Sequence, residues 1–146
     1  VFVVLFMPLQ TFAAIDPIII QDMQMQLNEM RETLEELKEE IFWEGVLNKL
    51  SHCESRDNNF AVNWKDAKIT GYPNKGKYQY QPSTFLKLGI KHGVFPPQFT
   101  LKEAEALIWN EGVQDTITLA ELQNGTYKHW TNCSRITGIG KQLSLR

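Results

Sequence analysis

The run Val46-Leu47-Asn48-Lys49-Leu50-Ser51-His52-Cys53-Glu54-Ser55 carries apolar residues at 46, 47 and 50 and then turns polar through Arg56-Asp57-Asn58-Asn59. Apolar residues spaced by three and four positions line one face of a helix, and a cluster of Asp and Asn ends one. This stretch therefore predicts a helix over 45–54 that opens a folded domain and delivers Glu54 at its C-terminal end.

Upstream, apolar residues fall at Ile20, Met23, Leu27, Met30, Leu34, Leu37 and Ile41, alternating steps of three and four with acids around them. That is three heptads with both seam positions filled, which predicts an amphipathic helix acting as a coiled coil or a helical spacer. Self-association or contact with a partner through residues 20–41 is one expectation, and packing of a lone helix on the domain is the other. The heptad phase breaks at Phe42-Trp43-Glu44-Gly45, where the domain proper is expected to begin. Further upstream, Val1 to Leu9 is an apolar core followed by Thr11-Phe12-Ala13-Ala14. This reads as an export signal cleaved after Ala13 or Ala14. The run is shorter than the ~20 residues that span a bilayer, and an uncleaved anchor is the alternative.

Downstream, Asn, Asp, Gly and Pro recur at short intervals over 57–81, with Ile69-Thr70 and Tyr78-Gln79-Tyr80 between them, which predicts a loop with a short hairpin. Pro82-Ser83-Thr84 starts a helix that Gly89 is expected to close. Thr100-Leu101-Lys102-Glu103 has the pattern of a capping box, with Ala104, Leu107 and Ile108 on one face behind it. A last helix is expected over about 113–123, stopped by Asn124-Gly125. The expected division is a signal at 1–14, an acidic heptad helix at 15–44, a domain at 45–136 and a tail at 137–146. The fold class is mainly α, with one short β insertion.

The formal charge of −2 hides a division along the chain. Residues 21–44 carry eight acids against Arg31 and Lys38, a local net of −6, whereas residues 45–146 carry thirteen Lys and Arg against eight acids, a net of +5. A basic body lowers the cost of approaching an anionic polymer without specifying which one. There is no phosphate loop, zinc-finger pattern or long Arg-rich run, so nucleic acid is not the expected partner. Nothing in the sequence implies a cofactor.

Cys53 and Cys133 are the two cysteines. In an exported chain an even pair reads first as a disulfide. It would close a loop of about 80 residues, worth up to ~4.5 kcal/mol in the chain-entropy account. His52 beside Cys53, and His129 four residues before Cys133, also permit a zinc or Cys/His reading. Structural zinc prefers four ligands in close-spaced pairs, which this spacing only loosely approaches, so no metal is expected.

Glycoside cleavage requires a carboxylic acid still protonated near neutral pH. Glu54, leaving an apolar helix beside a constrained cysteine, is the candidate. Cys53-Glu54-Ser55 is followed by Gly76-Lys77-Tyr78-Gln79-Tyr80-Gln81-Pro82-Ser83-Thr84-Phe85. In these segments the sequence resembles the lytic transglycosylase and goose-type lysozyme superfamily, which places its catalytic Glu in a Glu-Ser pair ending a long helix. A Gly-x-x-Gln segment lining the sugar cleft follows there. Trp109 and Gln114, and then Tyr127-Lys128-His129-Trp130-Thr131-Asn132-Cys133, are similar to the closing segments of small secreted members, so the resemblance spans about 46–135. Lys77, where an apolar residue is usual, and Asn63-Trp64-Lys65 in a loop of unfamiliar length depart from the pattern.

The resemblance implies an α+β lysozyme-like domain acting on peptidoglycan glycan strands outside the cytoplasm, at the periplasm or cell surface. Glu54 would protonate the glycosidic oxygen between N-acetylmuramic acid and N-acetylglucosamine and then act as base. Ser55, Gly76, Tyr78, Gln79, Tyr80, Tyr127 and Trp130 would bind substrate, with one or two of the four aromatics facing the cleft. A hydrolase would instead need a second carboxylate roughly 6.5–9.5 Å away to activate water; Asp66 is the first candidate and Asp57 the next. A non-catalytic cell-wall binding or assembly protein on the same fold is the remaining alternative.

Overall fold

A computed structural model of the chain describes residues 17–65 and 67–145. The expected export signal at 1–14 and the candidate Asp66 lie outside the described residues. The chain divides by its internal contacts into residues 1–39 and 40–146. Within the first unit, residues 17–39 are helical and every one of them is exposed. They form the start of α1, which spans Pro17–Ser55.

The expected break at Gly45 does not occur, and α1 is continuous through it. A mid-helix glycine costs about 1 kcal/mol against alanine. Here the residues on either side offset that cost, because Trp43, Val46 and Leu50 are all buried. α1 ends at Ser55, after which Arg56 and Asp57 take left-handed φ values of 56° and 62°. Their amides donate back to His52 O at 3.0 Å and Ser51 O at 3.4 Å, which satisfies carbonyls of the last turn.

The β insertion is smaller than the sequence suggests. β1 (Val62–Asn63) pairs antiparallel with β2 (Asn74–Lys75), with Val62 opposite Lys75 and Asn63 opposite Asn74. Ile69 and Thr70, read as β-forming, lie in the short helix α2 (Ala67–Thr70) instead. Tyr78-Gln79-Tyr80 belongs to a tight turn after β2. Tyr80 closes it by exchanging two backbone hydrogen bonds with Lys75, at 2.8 and 2.9 Å.

α3 (Pro82–Lys91) starts on Pro82 as expected but runs through Gly89 to a cap at His92. Gly89 is required for packing and does not end the helix. A Cβ built there would lie 2.1 Å from the Phe95 ring, while the Val94 and Phe95 amides both donate to the Gly89 carbonyl at 2.9 Å. α4 (Leu101–Leu107) carries the expected capping box, with Thr100 and Glu103 bonded reciprocally. α5 (Glu111–Gln123) is capped by Asn110, whose side chain accepts from the Val113 amide at 3.1 Å. It ends at Asn124-Gly125 as read, but it is not the last helix. A single helical turn at Lys128–Trp130, α6 (Thr131–Thr137) and α7 (Ile139–Leu143) follow. The stretch expected as a tail is part of the core, since Ile139 is fully buried.

The core of residues 40–146 is thus assembled from every helix except α2: Val46 and Leu50, Phe85 and Leu88, Ala104 and Ile108, Ile117 and Leu122, Cys133, and Ile139. The Cys53–Cys133 disulfide ties α6 to the end of α1. Its loop spans 80 residues of sequence.

Two helical glycines predict opposite outcomes. Gly89→Ala pushes a methyl into the Phe95 ring and should lower unfolding free energy by about 1–3 kcal/mol. A Cβ at Gly45 meets nothing within 4 Å, so Gly45→Ala should raise it by about 0.5–1 kcal/mol. Denaturant melts of both variants check the pair; equal signs would contradict the packing described.

Candidate functional site

Glu54 occupies the last turn of α1, one residue after the disulfide. It is half-buried, and among the described residues no hydrogen bond or ion pair holds its carboxylate. Burial alone therefore acts on it, and loss of water raises its pKa from the ordinary 4.5 to about 7. A carboxyl in this condition keeps its proton near neutrality and has no cation to keep it ionised. It can give that proton to a bound group and take one back.

Ser55, expected among the substrate-binding residues, turns its hydroxyl to backbone groups. Its hydroxyl donates to the Lys77 carbonyl at 2.8 Å and accepts the Asn58 amide at 3.1 Å. Its effect is to fasten the end of α1 to the turn from Gly76 to Tyr80. Gly76 takes a φ of +80°, and its amide donates to Ala61 O at 2.9 Å. A Cβ there would lie 2.5 Å from Gln114 Oε1. A buried protein side chain is therefore enough to require the glycine. The same Gln114 oxygen accepts the Tyr78 amide at 3.2 Å.

The departure at Lys77 has a structural cause. Its side chain is buried and its Nζ reaches Glu111 at 2.8 Å and Asp115 at 3.2 Å, one helical turn apart on α5. Desolvation works to lower the ammonium's pKa, but the hydrogen bonds and charges of the two acids together outweigh it and hold it above the usual value. Glu111 and Asp115 were not identified from sequence as neighbours of the site. The signal was a charged residue in an apolar slot with two acids four positions apart further along.

Of the four aromatics expected to bind substrate, Tyr78 is core. It is fully buried, with its hydroxyl donating to Asp115 at 2.6 Å and its carbonyl accepting Trp130 Nε1 at 3.0 Å. Tyr80 and Trp130 are also nearly buried, and Tyr80 spends its hydroxyl on Thr118 at 2.8 Å. They nonetheless contribute to the wall of a small cleft. Tyr127 is more exposed and packs over Gly140, where a Cβ would stand 3.3 Å from its ring.

That cleft, of about 290 Å³, is lined by Asn74, Gln79, Tyr80, Gln81, Thr84, His129 and Trp130. Amides and hydroxyls dominate it, which suits an uncharged polar group. Gln79 sits in it at a φ of +55°, a conformation uncommon outside glycine and one that tends to mark functional positions. Its Nε2 donates to Gly76 O at 2.9 Å. The amide orientation is thereby set, with the nitrogen turned to the backbone of its own turn. Glu54 is not among the lining residues; the residue after it, Ser55, is bonded to the Lys77 carbonyl of the turn that carries Gln79. A larger groove of about 680 Å³, lined by Lys49, His52, Cys53, Asp57 and Ile136 among others, includes neither Glu54 nor Gln79.

Asp57, the second candidate for a further carboxylate, is already committed. Hydrogen bonds from Ser51 and from His52 Nδ1, the latter at 2.9 Å, hold its carboxyl below the usual range. It closes the end of α1. The disulfide takes both thiols from the zinc arrangement, and His129 instead lies 3.8 Å from Glu121. Glu121 is buried in α5. Desolvation would raise its pKa, but the hydrogen bonds from Lys91, at 2.7 Å, and His92 prevail and lower it. This cluster, which joins α5 to α3, had no signature in the sequence.

Comparison of the chain with family models, with curated proteins and with solved structures finds no match.

The condition of Glu54 has a consequence for stability. A carboxyl whose pKa is raised by folding favours the folded state below its unfolded pKa of about 4.5, and that contribution is lost as pH rises through about 7. Glu54→Gln should therefore match the wild type near pH 4 and exceed it at about pH 8. The gain, discounted for a half-exposed group, is on the order of 1–2 kcal/mol. Urea melts across that range check it; a pH-independent difference would show that Glu54 titrates normally.

Proposed function

We propose that residues 40–146 cleave the β-1,4 bond between N-acetylmuramic acid and N-acetylglucosamine in peptidoglycan by a lytic transglycosylase mechanism, with Glu54 as acid and then base. The observation that carries this reading is the Glu54 carboxyl, raised to about 7 by burial, with no partner among the described residues. It stands at a helix end fastened to a turn that sets Gln79 in a polar cleft.

Glu54 protonates the glycosidic oxygen as the bond to the muramic anomeric carbon breaks. The resulting carboxylate then takes the proton of the muramic 6-hydroxyl, whose oxygen closes on that carbon. The product is a 1,6-anhydro end, the proton is back on Glu54, and no water is consumed. One carboxyl therefore suffices. Hydrolysis of inverting type would need a second carboxylate, and Asp57 is occupied by Ser51 and His52. The Gln79 amide oxygen is the acceptor for an N-acetyl N–H. The basic balance of residues 45–146 favours approach to an anionic wall polymer. The disulfide fits an oxidising compartment outside the cytoplasm.

Digestion of purified peptidoglycan followed by mass spectrometry tests the reading. Anhydro-muramic ends are expected, and Glu54→Gln should slow their release by about 10²–10⁴-fold, the range for loss of a general acid. Activity should fall as pH rises through about 7, because the protonated form starts the reaction. Reducing ends would instead indicate a hydrolase, with Asp66 the candidate for activating water. Release of nothing soluble would leave a wall-binding protein.

A further inference from the structure

The seven seam residues of the heptad helix remain uncovered. Ile20, Met23, Leu27, Met30, Leu34, Leu37 and Ile41 are each between 43 % and 67 % exposed, on one stripe of α1. For apolar side chains at consecutive a and d positions this is a partner surface, and the charges beside it indicate which partner. With Ile20 at an a position, the flanking e positions are Gln24, Arg31 and Lys38, and the flanking g positions are Gln26, Thr33 and Glu40. Six of the seven acids between 20 and 41 (Asp22, Glu29, Glu32, Glu35, Glu36 and Glu39) fall at b, c and f, away from the seam. The helix is strongly acidic, but its seam is not.

That segregation disfavours a basic helix as occupant. Such a partner would need acids at e and g, where this helix carries Arg31 and Lys38. It permits a second copy. In a parallel pair each g residue meets the e residue five positions on in its partner, giving Gln26 with Arg31 and Thr33 with Lys38, and no like charges oppose. In the antiparallel pair that keeps a opposite d, Arg31 faces its own copy. We propose that residues 20–41 pair two copies of this chain as a parallel, two-stranded coiled coil.

Sedimentation equilibrium of the full chain should give, with rising concentration, twice the 16.9 kDa chain mass. Leu27→Lys combined with Leu34→Lys should raise the dissociation constant at least about 100-fold, the cost of charges in a seam of this length. Near-UV circular dichroism from the aromatics of residues 40–146 should stay unchanged, showing that the domain remains folded. Under mild oxidation Leu37→Cys, at d, should cross-link to its own copy, whereas Glu32→Cys, at f, should not. A chain that stays at 16.9 kDa at every concentration would overturn the proposal. So would a mass above two chains, a dimer indifferent to the double Lys variant, or equal cross-linking of the two cysteine variants.

Discussion

The backbone of the Gly76–Tyr80 turn is where the site's supports meet. Ser55 at the end of α1 donates to the Lys77 carbonyl, Gln114 on α5 accepts the Tyr78 amide, and Trp130 donates its indole N–H to the Tyr78 carbonyl. A buried turn cannot satisfy these groups with water, and each left unpaired costs on the order of 1–3 kcal/mol. Side chains from three parts of the sequence therefore fix the turn's position. Gln79 belongs to this turn, and Glu54 precedes the serine that is bonded to it. The Lys77 ammonium adds a further tether to Glu111 and Asp115 on α5.

The fold was legible where its causes are local. The capping box at Thr100–Glu103, the stop at Asn124-Gly125 and the heptad stripe depend on residues within a turn or two of one another, and all are found in place. Gly89 does not end its helix because its cause is remote: it answers to the Phe95 ring. Gly45 breaks nothing because Trp43, Val46 and Leu50 bury their side chains around it. The helices after Trp130 were missed for a related reason. Their short sequences carry weak periodicity, and they are held by the disulfide and by burial of Ile139.

The candidate site shows the same limit. Glu54 could be singled out from its place at a helix end beside Cys53, but no pattern in the sequence shows that its carboxyl lacks a partner. Asp57 was the second choice for a further carboxylate, and only geometry reveals that Ser51 and His52 bond to it. Tyr78 and Trp130 were expected to meet substrate because aromatics suit sugar faces. Their polar atoms find partners inside the protein; the Tyr78 ring follows into the core, while Trp130 still lines the small cleft. What distinguishes the two acids is therefore electrostatic environment: one is desolvated and alone, while the other is paired and ionised.

The central claim is that burial alone keeps the Glu54 carboxyl protonated near neutrality. Its most direct test is an NMR titration of the glutamate side-chain carboxyl carbons, with Glu54 assigned by comparison with Glu54→Gln. The account predicts a midpoint at about 7 for this one signal. A midpoint near the ordinary 4.5 would contradict it and remove the basis for Glu54 as the acid.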